Sequence, residues 1–573
     1  MSFTAPTTAG VYTLTAKSVT DATQSSSITV GVTDLAGVYT YHNDLSRDGA
    51  NTQEYALTPT NVNPGDFGKL FSCSVDGAIY AQPLWVANLT VNGVSHNVVF
   101  VATQHDSLYA FDADASPCSK LWSVSLIDSA HAGTANESPV PSGGTGALVG
   151  NGAGDLTPEV GITGTPVIDP AHAILYVVSK SMSPGGAAFY QRLHAIDLAS
   201  GAEKPGSPLT ITATSPGAGD GGTTVTFNPK TENQRSALAF VNGTVYVPWG
   251  SHEDKRPFYG WLIGYTYNGS ALTVANVLNA APDGGQAGIW MSGSAPAADA
   301  AGNLYVLTGN GSFNATNAAP PNHDYGDSFL QLSPALSVLQ YFTPTNQQSD
   351  LIYNNDFGAG GAPILATLPA GSIVMHLAVA GGKDGNLYVL NLDALGGLGD
   401  QHAWQEISVG TEGDLNADTP GVIFCTPAIW NNQLYLAGAT QALAAYAFNP
   451  TTAKLSAHGT TAGTFGYPGT TPSISATGTS NGIVWALDNG KYCTYESPGC
   501  GPAVLHAYDA NNLGSELWNS ALSSADAAGN AVKFVVPTIA NGKVYVGTRG
   551  NNTGGALGST SVAGELDVYG LKP

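Results

Sequence analysis

AFDADASPCSKLW, from Ala110 to Trp122, is echoed twice along the chain, as AIDLASGAEK from Ala195 to Lys204 and as AYDANNLGSELW from Ala507 to Trp518. Each copy opens A-x-D, runs through turn residues and reaches Lys or Glu, and two copies then continue into Leu-Trp. At 573 residues the chain exceeds the size at which single cores stop growing, so a repeat decides the architecture.

Working outward from these phrases, one template recurs from about residue 80: a Pro or small residue with apolar neighbours, a Gly or Asn turn, then an apolar-Tyr-apolar run. Eight copies begin at Gln82, Thr165, Ser236, Ala295, Ala362, Thr426, Thr471 and Val536. Each is followed by a second alternating run such as ILYVVSK or KVYVGT and a third such as SLYAFD or VLHAYD. With a fourth run opening on KLW or ELW, the unit is a four-stranded antiparallel blade. The A-x-D phrase turns strand three into strand four, its Asp capping turn amides and its Trp packing between blades. The last copy ends at ELDVYGLKP with only three strands, and FGKLFSCSV, Phe67 to Val75, reads like the missing fourth. The expectation is all-β: an eight-bladed propeller over residues 37–573, closed by an N-terminal strand that removes its open edges.

Residues 1–36 read differently. GVYTLTAKSV and SSSITVGVTD are two alternating strands that resemble the end of a bacterial immunoglobulin-like domain, so a remnant of such a domain is expected there. Met1 is followed by no basic-then-apolar leader, and a signal is expected upstream, with a secreted or cell-surface protein as the consequence.

Charged residues are only 10% of the chain, Gly numbers 71, and no apolar run is long enough to span a bilayer. The net charge of -23 repels nucleic acid and anionic lipid, leaving a small molecule as the expected partner. Of five cysteines, Cys493 and Cys500 bracket one loop and Cys73 and Cys118 lie near repeated strand phrases, with Cys425 left over. Two disulfides and one buried thiol fit an oxidising compartment, and five reduced thiols is the alternative.

The phrase at Ala110 to Trp122 resembles, with two extra residues, the A-x-D-x-x-T-G-K-x-x-W tryptophan-docking motif of quinoprotein dehydrogenases and their pyrroloquinoline-quinone-like repeat relatives. The copy at Ala195 lacks the Trp and the one at Ala507 lacks the Gly-Lys pair. The resemblance covers about the last five hundred residues and implies a dehydrogenase of alcohols or sugars, using pyrroloquinoline quinone over a Trp, calcium held by acidic and amide side chains, and an Asp base. The adjacent Cys-Cys pair of many such enzymes is absent here, as is a C-x-x-C-H haem site. The expectation is therefore a binding module for a small polar or glycan-like ligand, with the quinone- and calcium-dependent dehydrogenase as the alternative.

The two ends of the ring differ in loop chemistry. Turns between the first and second strands are short and almost uncharged (VNGT, DAAGN, ANGK). Those between the second and third are long and polar, and carry Lys180, Arg192, Lys255, Arg256, Lys383, Lys491 and Arg549. Binding belongs on that second face. The candidate ligand-binding residues are Gln234 and Arg235 before one inner strand, His252 and Glu253 in SHEDKRPFYGW, Asp324 and Asp327 in HDYGDS, Lys383 in KDG, and the aromatics Trp290 and Tyr467. No metal set and no catalytic residue emerges from spacing. The glycine-rich GNGAGD, without a preceding strand and following helix, reads as a flexible loop.

Overall fold

The computed structural model describes residues 6–144, 147–315, 323–361, 364–367 (backbone only), 376–410, 421–497, 499–550 and 563–572. Eight antiparallel blades form a ring. The first is built from Leu84–Val91, Val94–Ala102, Ser107–Asp112 and Lys120–Ser125. The eighth takes Thr538–Ala540, Lys543–Gly547 and Gly564–Leu571 from the C-terminus and Phe67–Val75 from the N-terminus. Register runs from Gly564 opposite Val75 to Leu571 opposite Phe67, so the ring closes as expected. A buried Asp567 pins that seam, taking Lys69 at 2.7 Å and the Ser72 hydroxyl at 2.7 Å. The Cys73–Cys118 disulfide ties the closing strand to the first blade; Cys493–Cys500 closes a second-face turn, and Cys425 is buried and free.

The repeated phrases do the local work assigned to them. Asp112 accepts the Asp114 amide at 2.9 Å, Asp197 the amides of Ala199 and Ser200 at 3.1 and 3.0 Å, and Asp509 that of Asn511 at 2.9 Å. Trp122 donates its Nε1 proton to Leu198 of the next blade at 3.1 Å, and Trp518 packs edge-on against Phe67 of the closing strand. First-face turns such as Asn242-Gly243 and Asn541-Gly542 place both residues at positive φ, the mirror-type turn that matches strand twist. Around the channel, inner strands bond to their neighbours: Gln82 N–H to Thr165 Oγ1 at 2.8 Å, Thr426 N–H to Thr471 Oγ1 at 3.2 Å, and Thr538 Oγ1 to Pro83 O at 2.6 Å across the seam.

Residues 36–54 have no counterpart in the repeat. They thread the first-face end of the channel and stopper it. Amides of Ala87, Ile168, Ala298, Ile429 and Ile474, on five inner strands, donate to the carbonyls of Ala36, Tyr39, Leu45, Asp48 and Gly49 at 2.8 to 3.0 Å. Inner strands present unpaired edges to the channel, and this segment satisfies them. Ahead of it, Gly10–Lys17 and Ser25–Val32 form a hairpin whose strands pair only with each other among the described residues, with Val11 and Ile28 exposed.

Asp48 of this stopper carries a pKa raised to about 7 by burial and then by Asp44 beside it, against a hydrogen bond from the Ala50 amide. Its folded pKa lies above its unfolded one, so the folded state holds the extra proton and loses stability as pH rises from about 4 to about 7. Asp48→Asn keeps the acceptor for Ala50. Its melting temperature is expected to match wild type near pH 4 and to exceed it increasingly toward pH 7, measured by thermal unfolding across that range.

Candidate functional site

The first-face end of the channel is taken up by residues 36–54, and a cavity lies toward the second face. There the connections into the inner strands meet the turns of the third and fifth blades around a cavity of about 180 Å³. Six candidates from the sequence line it: Arg235, His252, Glu253, Trp290, Lys383 and Tyr467. The other three lie behind the wall. Gln234 is buried and donates to Ser236 O. Asp324 accepts the amides of Asp283 and Gly284, both at 2.9 Å, and the Ser312 hydroxyl at 2.5 Å. Asp327 accepts the Phe357 amide at 3.2 Å and is pushed well up in pKa by burial first and by Asp356 next. These two carboxyls organise turns, which is the commoner use of Asp in loops.

Sequence reading missed Asp155, Asp356, Phe424, Lys533 and Phe534, all in the cavity wall. A signal existed for two of them: Phe424 and Phe534 each stand three residues before the Pro of an inner-strand phrase, Pro427 and Pro537.

The wall is aromatic. Trp290 lies 6.2 Å from Phe424 and 6.4 Å from Phe534 between ring centroids, and Phe424 meets Tyr467 edge-on at 5.2 Å. Phe534 sits at φ +67°, and Glu253 and Asp254 at +51° and +54°, strain of the kind that gathers at binding sites.

Into this wall the fold sets cations. The Arg235 guanidinium lies 5.1 Å from the Phe534 ring centre and 5.8 Å from that of Tyr80, and its buried Nη2 has no hydrogen-bond partner. Burial lowers its pKa to about 10, leaving it charged at neutral pH. Lys383 pairs with Asp356, donates to Asn354 O at 3.2 Å and lies 5.7 Å from the Trp290 ring centre. Burial alone would depress its pKa, but Asp356 and then Asp254 outweigh burial and hold it above the usual lysine value. Lys533 pairs with Asp155 at 2.6 Å and sits 5.6 Å from the centre of the Phe534 ring. At the edge, His252 Nε2 stands 2.6 Å from Lys180 Nζ; burial and then that ammonium push the imidazole well below its ordinary value, while burial lowers Lys180 to about 7.

No family model matches the chain, and no curated protein matches it. Solved structures do. A quinohaemoprotein alcohol dehydrogenase from Pseudomonas putida superimposes with a TM-score of 0.57 at 13% identity, over 94% of this chain and 80% of that one. In fold, this chain is similar to the quinoprotein alcohol dehydrogenases. A europium-containing methanol dehydrogenase gives 0.54 at 14% identity over 94% and 98%, and the quinohaemoprotein alcohol dehydrogenase of Comamonas testosteroni 0.53 at 14% over 93% and 80%. Identities this low carry the ring and its closure, not the chemistry. Nothing in these comparisons supports the immunoglobulin-like reading of the first 36 residues.

The quinone and the calcium that the sequence resemblance implies suit this cavity unequally. A planar, carboxylated quinone matches the aromatic wall and the orphaned Arg235 N–H, while Lys383 and Lys533 are already paired with Asp356 and Asp155. Calcium is served less well: among the described residues no three His, Cys, Asp or Glu side chains come together, and the Lys383 ammonium is paired with Asp356.

Proposed function

We propose that the cavity receives a planar, multiply anionic ligand of the pyrroloquinoline quinone type, and that the protein is an oxidoreductase of alcohols or sugars. One observation carries this reading: Arg235, in an aromatic-walled cavity that Lys383 and Lys533 line beside their own carboxylates Asp356 and Asp155, has no carboxylate partner among the described residues and keeps an unpartnered Nη2. Desolvated cations are costly unless a bound anion compensates them. A neutral glycan would leave the Arg235 N–H groups without an anionic partner, so the cavity favours an anionic ligand over a neutral glycan, and the likeness in fold to quinoprotein alcohol dehydrogenases favours the enzyme over the binding module.

In this reading Arg235 holds a carboxylate of the ligand, and Trp290, Phe424 and Phe534 clamp its plane and exclude water. Lys383, held by Asp356, keeps positive charge over the Trp290 face. His252, held neutral by burial and by the Lys180 ammonium against its Nε2, is a hydrogen-bonding group at the cavity edge rather than a base. The quinone, when bound, supplies the two-electron oxidising power. The two disulfides are consistent with an extracellular or periplasmic setting.

Reconstitution tests this. Purified protein incubated with pyrroloquinoline quinone is expected to retain quinone absorbance after gel filtration, with or without a calcium chelator, and to reduce a dye with simple alcohols or sugars. Loss of all quinone at saturating load defeats the reading. Retention without dye reduction would leave a quinone-binding protein and remove the enzyme.

A further inference from the structure

GNGAGD, Gly150 to Asp155, is not the flexible loop its composition implies. Five successive backbone N–H groups converge on one side chain, Glu253. Its Oε2 accepts from Asn151, Gly152 and Ala153 at 2.7, 3.0 and 3.3 Å, and its Oε1 from Gly154 and Asp155 at 2.8 and 3.1 Å. The Asn151 side-chain amide donates to the Glu253 carbonyl as well. Left-handed Gly150, Gly152 and Gly154, at φ +70°, +100° and +68°, alternate with ordinary residues and turn successive amides to one side, the backbone concavity that binds anions. No helix follows, so the anion is held by the loop amides alone.

The position of this nest gives it a role. Gly150, Asp155 and Glu253 all line the cavity. On its other side the same loop is held by the turn that Cys493 and Cys500 close, where Tyr495 and Glu496 donate their amides to Gly154 O and Ala153 O, each at 3.3 Å. The strip therefore runs along the cavity from the third blade to the seventh, and among the described residues its hydrogen bonds to the third blade all go to one residue, Glu253, itself strained at φ +51°, and chiefly to its carboxylate.

We propose that the Gly150–Asp155 nest is a carboxylate-binding site, occupied in the closed protein by Glu253 and open to exchange with the carboxylate of a ligand entering the cavity. Glu253 wins in the absence of ligand because it is tethered, at an effective concentration a free anion must exceed. The split of donors, three to one oxygen and two to the other, suits a planar two-oxygen group better than a tetrahedral oxyanion. Next door, Arg235 is the one cation of the cavity wall without a carboxylate partner among the described residues, and it is the group that draws such an anion in. None of this depends on quinone chemistry.

Amide hydrogen exchange of the full-length protein, read on peptides covering residues 150–155, tests it with acetate as the probe. In Glu253→Ala, exchange there is expected to rise about tenfold or more, the loss of charge-assisted hydrogen bonds. Acetate, which with the alanine replaces the missing side chain, is expected to restore protection, phosphate to do so less well, and chloride not at all. Wild type should be indifferent to acetate. Gly152→Ala with Glu253 retained, strained at φ +100°, should exchange fast and resist rescue. Unchanged exchange in Glu253→Ala, or fast exchange that acetate leaves fast, overturns the proposal; rescue by phosphate as good as by acetate overturns the carboxylate assignment. Should Glu253→Ala fold poorly, Glu253→Gln, which keeps the shape and removes the charge, gives the same reading: exchange at wild-type rates overturns the proposal.

Discussion

Arg47→Ala is expected to cost about 3 to 5 kcal/mol of stability, the loss associated with breaking a buried charged network. Arg47 is completely buried in the stopper, at φ +63°, and uses every arm of its fork. Nε and Nη2 donate to Pro296 O at 3.1 and 2.7 Å, and Nη1 to Thr40 Oγ1, Tyr41 O and Asp44 O at 2.8, 2.8 and 2.7 Å. Alanine would leave those acceptors unpaired inside the ring, each a desolvation cost of about 1 to 3 kcal/mol where water cannot reach. Lysine cannot reproduce a planar fork, so Arg47→Lys should recover only part of the loss. Denaturant midpoints measure the effect, and a cost below about 1 kcal/mol would mean that the stopper is held by its backbone ladder alone. Because the fourth-blade carbonyl of Pro296 is one anchor, proteolysis within residues 36–54 should accelerate in the same variant.

The ring was legible because it repeats. Eight inner-strand phrases and the A-x-D turns each signal the same unit, and the KLF of Phe67–Val75 matches KLW closely enough to find its partner strand. The stopper was not legible because it has no period. Its pairings are short pieces, Gly37–Val38 and Ala50–Asn51, held by the free edges of strands far along the chain. For the cavity, Arg235, His252, Trp290 and Tyr467 stood out as chemistry-bearing residues beside inner strands or in a polar turn. Asp324 and Asp327 stood out equally and serve turn amides, since sequence does not say which way a loop carboxyl points. GNGAGD was misread for the same reason: its glycines were visible, while Glu253, about a hundred residues on, was not recognisable as their anion.

Arg235→Ala is expected to weaken binding of pyrroloquinoline quinone between about tenfold and a hundredfold, because a charge-assisted hydrogen bond in a closed site is worth roughly 1.5 to 3 kcal/mol. The argument rests on an asymmetry between the two lysines and this arginine. Lys383 and Lys533 have carboxylates of their own, Asp356 and Asp155, so removing either also frees an acid and confounds the result. Arg235 has no salt-bridge partner among the described residues, only aromatic faces and an idle Nη2, so its deletion reports on the ligand. Arg235→Lys should restore charge without the fork and fall between the two. Asn541→Gly, in a first-face turn whose φ of +49° glycine accepts freely, should bind as wild type. Equilibrium titration followed by quinone absorbance gives all four affinities. If Arg235→Ala binds quinone as tightly as wild type while its melting temperature is unchanged, the anion is held elsewhere, and the convergence of cations on this cavity serves the folding of the ring rather than the capture of a ligand.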